Sequence, residues 1–401
     1  MSPAPSEMPR GPLSGIVVLD MSRILAGPYC TLLLAELGAR IIKVEDPRGG
    51  DDSRQYGPFL DGGDSVYFAA VNRGKESIGL DLKKPEDRAI FEKLLARADV
   101  LVENFRPGTM DKLGYGWEAL HAKYPKLIYC AASGFGHSGP FKTAPAYDMV
   151  VQGLGGIMSV TGHEGAPVAR IGVSIGDLGA GLYAAIGVQS ALFHRERTGE
   201  ATFVDIGMLD CQLSLMENPA SRYLATGKVP GPMGGRHASI TPFGIFPTAD
   251  RQIIIAAGND GLYRKLCAVL DAPAMADDPR YATNGLRTEN VRALEAEIGA
   301  ILAKAPAAQW LAKLDAAGIP AGPINDVKGA LEHPQTAARN MVVETATPGG
   351  KKVKVIGNPI KIRGFADPAT RPAAPALDQH RAQLLAELAK EIGRASCRER
   401  V

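Results

Sequence analysis

Hydrophobic and polar positions in the first third of the chain follow two alternating patterns. Short apolar runs bounded by polar or glycine residues are typical of buried strands, whereas apolar residues three and four positions apart are typical of helices. This alternation predicts an α/β fold whose large domain is a doubly wound, Rossmann-like parallel sheet that binds ligands at the carboxyl ends of its strands. The strand pattern occurs at residues 15–20, 39–45, 77–82, 99–103 and 127–132, and the helical pattern at residues 26–38, 85–97 and 117–123.

The longest helical pattern follows Asp177. This residue stands where an N-cap belongs, so free backbone N–H groups and the helix dipole are expected to keep it ionised at neutral pH. Gly176, Gly179 and Gly181 remove side chains around it. Two interpretations stay open, since the glycines either expose a nucleophilic carboxylate or permit close helix packing. Apolar residues at the spacing of a buried helix face follow at Leu178, Leu182, Ala185, Ile186, Val188, Leu192 and Phe193.

The second half of the chain predicts a smaller α/β domain. A glycine- and proline-rich loop at residues 226–237 is either a linker or a binding loop. A strand at 201–206 and a helix at 209–224 precede it, and a hairpin at 243–247 and 252–257 and helices at 262–269, 289–304 and 308–317 follow it. We expect a disordered leader at 1–11, the first part of the large domain at 12–225, the small domain with its glycine-loop linker at 226–330, and a segment at 331–390 that returns to the large domain, with late strands within 351–362.

Composition narrows the class of protein. The 401 residues are 45% hydrophobic and 22% charged, as in an ordinary globular chain of two or three domains. A formal net charge of +2, without long like-charge blocks, gives no support for a nucleic-acid or membrane partner. The five scattered cysteines show no metal-binding spacing and favour a reducing compartment, so we expect a cytoplasmic protein without a metal.

Two further segments bear on cofactor binding and on the C-terminal end of the chain. The turn after Asp20 has no G-x-G-x-x-G pattern, so Glu45 alone is weak support for a nicotinamide cofactor. Residues 391–401 are interpreted as a translated sequencing-library adapter, and the natural C-terminus is therefore expected to be missing.

Several motifs together resemble the class III (formyl-CoA/carnitine-CoA type) CoA-transferase family, which also contains α-methylacyl-CoA racemases. The likeness covers about residues 12–365 and is nearest to the branch that moves CoA between succinate and other dicarboxylates. The motifs lie at residues 19–28, 38–45, 71–83, 102–108, 146–148, 176–177 and 318–323.

The resemblance implies an obligate, interlocked homodimer whose large domain is completed by the C-terminal segment. It implies that Asp177 is the nucleophile, which forms a mixed anhydride with the donor acyl group and then an aspartyl-CoA thioester. The CoA thioester is then a co-substrate, and neither ATP, a metal nor a tightly bound cofactor is required. CoA contacts carried over from the family fall on Arg23, Ile24, Ala26, Leu80, Lys83, Asn104, Phe105, Arg106 and Lys112.

The family also suggests where the carboxylic acid substrate binds. Tyr147 and Asp148 are expected to line the acceptor pocket, with Tyr56 as a further candidate. Gly234 and Gly235 are expected to cover the site, because an anhydride exposed to water hydrolyses. A second carboxylate on the substrate needs a cation, which Arg236, His237 or Arg170 would supply.

Alternatives to a dicarboxylate CoA-transferase remain. Racemases of the family carry a His where this chain has Tyr147, and a tyrosine is a poor base at neutral pH, which disfavours racemisation. Formyl-CoA:oxalate transferases carry a Gln at the position of Leu25, which disfavours oxalate. The third alternative is a nucleotide-binding module without catalytic activity, in which Asp177 only caps a helix.

Overall fold

The computed structural model describes residues 10–60 and 63–398. These residues divide into two compact units. The first unit comprises the chain up to Met158, Arg170–Gly227 and the residues from Pro334 onward; the second comprises Ser159–Ala169 and Lys228–His333. Most of the expected leader, residues 1–9, and the last three residues of the expected adapter, 399–401, lie outside the described residues.

A six-stranded sheet forms the centre of the first unit. Its strands are ordered β3-β2-β1-β4-β5-β6, and every neighbouring pair is parallel, as the alternation of elements predicted. The strand order reverses between β1 and β4, which is where doubly wound sheets bind ligands. The strands are β1 (Val17–Asp20), β2 (Arg40–Glu45), β3 (Glu76–Gly79), β4 (Val100–Glu103), β5 (Ile128–Ser133) and β6 (Phe203–Gly207).

Helices cover both faces of this sheet, and each face has its own apolar core. Residues 209–224, expected as one helix, form two helices that meet at Met216. The helices are α1 (Ala26–Glu36), α2 (Val66–Asn72), α3 (Pro85–Leu95), α4 (Thr109–Leu113), α5 (Trp117–Lys123), α6 (Asp148–Leu154), α7 (Ile175–Thr198), α8 (Met208–Leu215) and α9 (Glu217–Thr226).

Helix α7 buries its small residues rather than its large ones. A Cβ added at Gly181 would lie 2.7 Å from the carbonyl oxygen of Ala26, so the glycine allows α1 and α7 to pack closely. Leu182, Ile186 and Phe193 are 44%, 58% and 63% exposed, so the expectation that these three residues lie on a buried face was wrong. The periodicity identified the helix, but the closely packed face is the one that carries glycine and alanine.

The second unit has an antiparallel sheet in the order β7-β8-β9, with an apolar core between the sheet and its helices. Arg287 is fully buried there and donates hydrogen bonds to three backbone carbonyls and to Asp260. The elements are β7 (Phe243–Pro247), β8 (Gln252–Ala256), β9 (Ala321–Pro323), α10 (Asp260–Val269), α11 (Pro273–Ala276), α12 (Asn284–Glu289), α13 (Val291–Leu302), α14 (Ala307–Ala316) and α15 (Val327–Leu331).

The last segment of the chain belongs to the first unit. It contains α16 (Pro334–Ala338), β10 (Val342–Ala346), β11 (Lys352–Ile356) and α17 (Arg381–Arg398). Strands β10 and β11 form their own antiparallel pair, so the expected late strands do not extend the central sheet. Helix α17 packs near α3 and β3.

One segment departs from the expected domain boundaries. Residues 159–169 were expected in the large domain, but they belong to the second unit. The backbone N–H of Gly234 donates to the carbonyl of Gly162 at 2.8 Å, and Arg292 pairs with Glu164 at 2.6 Å. These contacts join sequence-distant residues, so no local pattern reveals them.

Candidate functional site

A cleft of about 220 Å³ opens where β1, β2 and β3 end. Four residues expected to bind CoA line it: Arg23, Leu80, Lys83 and Phe105. They come from the loops that follow β1, β3 and β4, and the carboxyl ends of parallel strands lie at one edge of the sheet. The cleft also includes Arg48, a cation that the sequence analysis did not select.

The loop after β1 is held in place by its neighbours. Asn104 accepts a hydrogen bond from the backbone N–H of Arg23 and donates one to its carbonyl, both at 2.8 Å. Asp51 accepts from the backbone N–H of Ile24, whose φ of 70° is in the left-handed region. A β-branched residue in this region is strained, so the loop keeps its shape only because these contacts fix it. The Arg23 guanidinium lies 5.7 Å from the centre of the Phe105 ring.

The remaining expected CoA residues lie around this cleft rather than among its lining residues. Ala26 is buried at the start of α1. Arg106 and Lys112 are exposed, after β4 and on α4 respectively.

Buried ion pairs support the floor of the cleft. Lys75 Nζ lies 3.0 Å from Asp20 Oδ2, and Lys43 Nζ lies 2.9 Å from Asp51 Oδ2. Burial alone would raise the pKa of Asp20, but Lys75, Lys43 and the hydroxyl groups of Ser22 and Thr31 hold that pKa below its usual value. The pKa of Asp51 is also low, because Lys43 and backbone N–H groups outweigh burial. Both carboxylates are ionised, and each lies within ion-pair distance of a buried lysine.

Asp177 differs from these paired carboxylates. It lies in the first turn of α7, but the N-cap is Ser174, so the predicted capping role of Asp177 was wrong. Burial, with a further contribution from the nearby charge of Asp148, raises the pKa of Asp177 to about 7. The expectation that Asp177 is fully ionised at neutral pH was therefore also wrong. No side chain in the described part of the chain forms an ion pair with it, and no neighbouring cation offsets its desolvation.

Asp148 begins α6 beside the start of α7. Its Oδ1 accepts from the backbone N–H of Gly176 at 2.8 Å, and its Oδ2 accepts from Gln152 at 2.9 Å. Arg170 approaches the same carboxylate, with Nη1 3.9 Å from Oδ2. The structure thus brings Asp177 and Arg170 each close to Asp148, and Tyr147, 72% exposed, stands next to Asp148 at the N-cap of α6.

Tyr67 is a residue of this site that the sequence analysis missed. Burial and then the charge of Asp177 raise its pKa to about 12, so its hydroxyl stays protonated near the carboxyl group. Its ring packs edge to face on Tyr56, with centroids 6.0 Å apart. Tyr67 lies on the short helix α2, which the apolar pattern did not predict, and nothing in the local sequence separates it from a core tyrosine.

Gly234, Gly235 and Arg236 belong to the second unit. A Cβ added at Gly234 would lie 2.7 Å from His163 Nδ1, and one at Gly235 would lie 2.2 Å from the side chain of Ile245. Both positions therefore require glycine for close packing, and this part of the loop is not an unattached linker. His237 stacks on Phe243 with ring centroids 5.4 Å apart.

The protein therefore has an α/β fold with a cleft near the point where the strand order of its sheet reverses. The carboxyl groups of Asp177 and Asp148 lie near each other in the same unit. Residues 13–381 match the model of CoA-transferase family III, and the chain belongs to this family. It is therefore an enzyme of the CoA-transferase type that uses CoA thioesters as co-substrates.

Two relatives and one solved structure agree with this assignment. An acetyl-CoA:oxalate CoA-transferase of Acetobacter aceti is 47% identical over 95% of this chain and 97% of its own length. A succinate–glutarate CoA-transferase of Agrobacterium fabrum is 39% identical over 97% of this chain and 98% of its own length. The crystal structure of a CAIB/BAIF family protein from Brucella suis matches with a TM-score of 0.82 at 40% identity, covering 94% of this chain and 100% of that one.

No helix in the described part of the chain is both long enough and apolar enough to cross a membrane.

Proposed function

We propose that the protein transfers CoA from an acyl-CoA donor to a carboxylic acid through covalent intermediates on Asp177. The observation that carries this proposal is the half-buried carboxyl of Asp177, which has no cation partner and a pKa of about 7. Such a group is ionised in part at neutral pH and is poorly solvated, which favours nucleophilic attack.

The proposed reaction has four steps. The Asp177 carboxylate attacks the thioester carbonyl, the C–S bond breaks, and a mixed anhydride and CoA thiolate form. The thiolate attacks the aspartyl carbonyl and releases the donor acid, which leaves an aspartyl-CoA thioester. The acceptor carboxylate attacks this thioester to form a second anhydride and free the thiolate, which then attacks the acceptor carbonyl and restores Asp177.

The CoA portion of the substrate is proposed to bind in the cleft at the carboxyl ends of the strands. Lys83 and Arg23 supply cations there for the phosphates, and Arg106 and Lys112 add exposed cations nearby. The Phe105 ring offers an apolar face for adenine.

The acceptor is proposed to be a short dicarboxylate that contacts Tyr147 and Asp148. One carboxylate reacts at Asp177, and the other needs a cation from Arg236, His237 or Arg170. The 39% identity to the succinate–glutarate CoA-transferase of Agrobacterium fabrum supports succinate and glutarate. Oxalate is the second candidate, with acetyl-CoA as donor, and the 47% identity to the Acetobacter aceti enzyme favours it. We expect Arg236→Ala to raise KM far more for a dicarboxylate than for a monocarboxylate; equal effects would contradict the role of Arg236.

We also propose that two chains form an interlocked homodimer. The exposed apolar residues Leu182, Ile186 and Phe193 on α7 support an interface, because such side chains are costly to leave in water. Light scattering is expected to give twice the chain mass, and a monomer at micromolar concentration would contradict this proposal.

Trapping with hydroxylamine tests the covalent step directly. Incubation with succinyl-CoA or acetyl-CoA alone, followed by hydroxylamine, is expected to give a hydroxamate that mass spectrometry maps to Asp177. Asp177→Asn is expected to give none, while Asp315→Asn, at an exposed helical position, keeps the wild-type yield. Absence of the product with every donor would overturn the mechanism, and deuterium exchange at the α-carbon would instead indicate an isomerase.

The choice of substrate needs a separate measurement. Rates are measured for succinyl-, acetyl- and formyl-CoA against succinate, glutarate and oxalate. A preference for acetyl-CoA with oxalate would replace the succinate proposal without affecting the role of Asp177.

A further inference from the structure

A second unpaired carboxyl group lies behind the CoA cleft. Glu103, the last residue of β4, is only 2% exposed at its side chain. Its Oε2 accepts from the backbone N–H of Phe105 at 2.6 Å, and its Oε1 accepts from the Tyr129 hydroxyl at 3.1 Å. His137 Nε2 lies 4.0 Å from Oε1 and is buried without a hydrogen-bond partner among the described residues.

A separation of 4.0 Å is too long for a hydrogen bond, so Glu103 and His137 are not bonded to each other in this structure. Burial raises the pKa of Glu103 to about 7, against the opposing effect of its two hydrogen-bond donors. Burial lowers the pKa of His137, so its ring is neutral near pH 7. The other titratable or charged groups that face the pair are Asp111 on α4, Asp205 on β6, Tyr129 and Cys130 on β5, and Lys142.

Glu103 also holds in place the loop after β4, which forms part of the wall of the cleft. Its bond to Phe105 fixes the segment that carries Asn104, and Asn104 in turn holds the backbone of Arg23 through two hydrogen bonds. A carboxylate accepts an N–H bond more strongly than a neutral carboxyl group does. When Glu103 is protonated, its bond to Phe105 weakens, and a closure of about 1 Å would bring its O–H within hydrogen-bond distance of His137 Nε2.

We propose that Glu103 is a positioning residue for CoA: its ionised form orders Phe105 and Arg23 for binding, and its protonated form turns toward His137 instead. This inference rests on the proposed CoA cleft. It predicts that CoA binds more tightly above neutral pH than below it, while the chemistry at Asp177 keeps its own dependence on pH.

Calorimetric titration with free CoA between pH 5.8 and 8.2 tests the proposal. The 3′-phosphate of CoA itself titrates near pH 6, so 3′-dephospho-CoA serves as a ligand without this group. For both ligands we expect the wild-type Kd to rise about fivefold or more as the pH falls through 7. Glu103→Gln is neutral at every pH and is expected to show the weaker Kd throughout, with no inflection for dephospho-CoA.

Two further variants complete the test. His137→Phe keeps the ring contact with Phe203 but removes the acceptor, so the inflection is expected to move to lower pH. Glu92→Gln, at a half-exposed carboxylate on α3, is expected to retain the wild-type profile. Thermal unfolding verifies that each variant is folded, and if Glu103→Gln is not folded, the shift in His137→Phe decides.

The outcomes separate this inference from the proposed function. If dephospho-CoA binds with the same pH dependence to the wild type, Glu103→Gln and His137→Phe, the inference is wrong and the CoA cleft stands. If neither CoA nor dephospho-CoA binds the wild type, the proposed cleft is itself wrong.

Discussion

The first unit holds two groups of buried carboxylates that behave in opposite ways. Asp20 and Asp51 have buried lysines within about 3 Å, and their pKa values lie below the usual range. Asp177 and Glu103 have no such cation, and burial raises the pKa of each to about 7. Burial is common to both groups, so the presence or absence of a paired cation decides whether the pKa of the carboxyl group is lowered or raised.

The largest loss of stability is expected when a buried carboxylate loses the lysine that pairs with it. Lys75→Met leaves Asp20 buried without its nearest cation, and we expect the free energy of unfolding to fall by about 3–5 kcal/mol. Urea unfolding followed by circular dichroism measures this change. The double variant Lys75→Met/Asp20→Asn is expected to recover part of the loss. Lys123→Met, at an exposed ion pair, should cost less than about 1 kcal/mol, and an equally small cost for Lys75→Met would contradict the comparison.

At Asp177, removal of the carboxylate is expected to raise the free energy of unfolding rather than lower it. Its pKa is higher in the folded than in the unfolded chain, so folding is not penalised below about pH 4, the penalty grows as the pH rises to about 7, and it is constant above that. Asp177→Asn removes the penalty, and we expect it to stabilise the protein by about 1–3 kcal/mol at pH 8 and by less at pH 5. Asp20→Asn is the matched variant and should destabilise at pH 8. A loss of stability in both variants would contradict the distinction between buried carboxylates with and without a paired cation.

The rate of the first chemical step is expected to depend on pH through the same group. Because the Asp177 carboxylate is proposed to attack the donor, single-turnover formation of the aspartyl-CoA thioester is expected to fall about tenfold for each pH unit below 7. Rapid acid quenching followed by mass spectrometry of the protein gives this profile for several donors. A rate that stays constant down to pH 5 would show that an already ionised group attacks.

A smaller shift is expected when the neighbouring charge is removed. Asp148→Asn keeps an oxygen to accept the Gly176 N–H but removes the repulsion on Asp177. Since burial contributes more than Asp148 to the raised pKa, we expect the acid limb of the rate profile to move down by less than about one pH unit. An upward shift would mean that Asp148 does not interact with Asp177 as the structure indicates.

Much of the cleft was predictable because it is built from loops at one end of a parallel sheet. Once the strands ending at Asp20, Gly79 and Glu103 are recognised, the residues that follow them must lie at the same edge. Arg23, Lys83 and Phe105 were carried over from the family resemblance, and the structure places all three among the residues that line the cleft. Tyr67 and His137 were not, since their importance depends on contacts with Asp177 and Glu103, which lie far from them in the sequence.

The amino-acid sequence by itself determined the alternation of strands and helices, the long helix around Asp177 and the family, because these depend on local spacing and short motifs. Only the tertiary structure decided that α7 buries its glycine and alanine face, that Ser174 rather than Asp177 is the N-cap, and that the pKa of Asp177 is raised to about 7. Desolvation and charge repulsion act through space, so the pKa of a carboxyl group depends on which helices and cations fold around it.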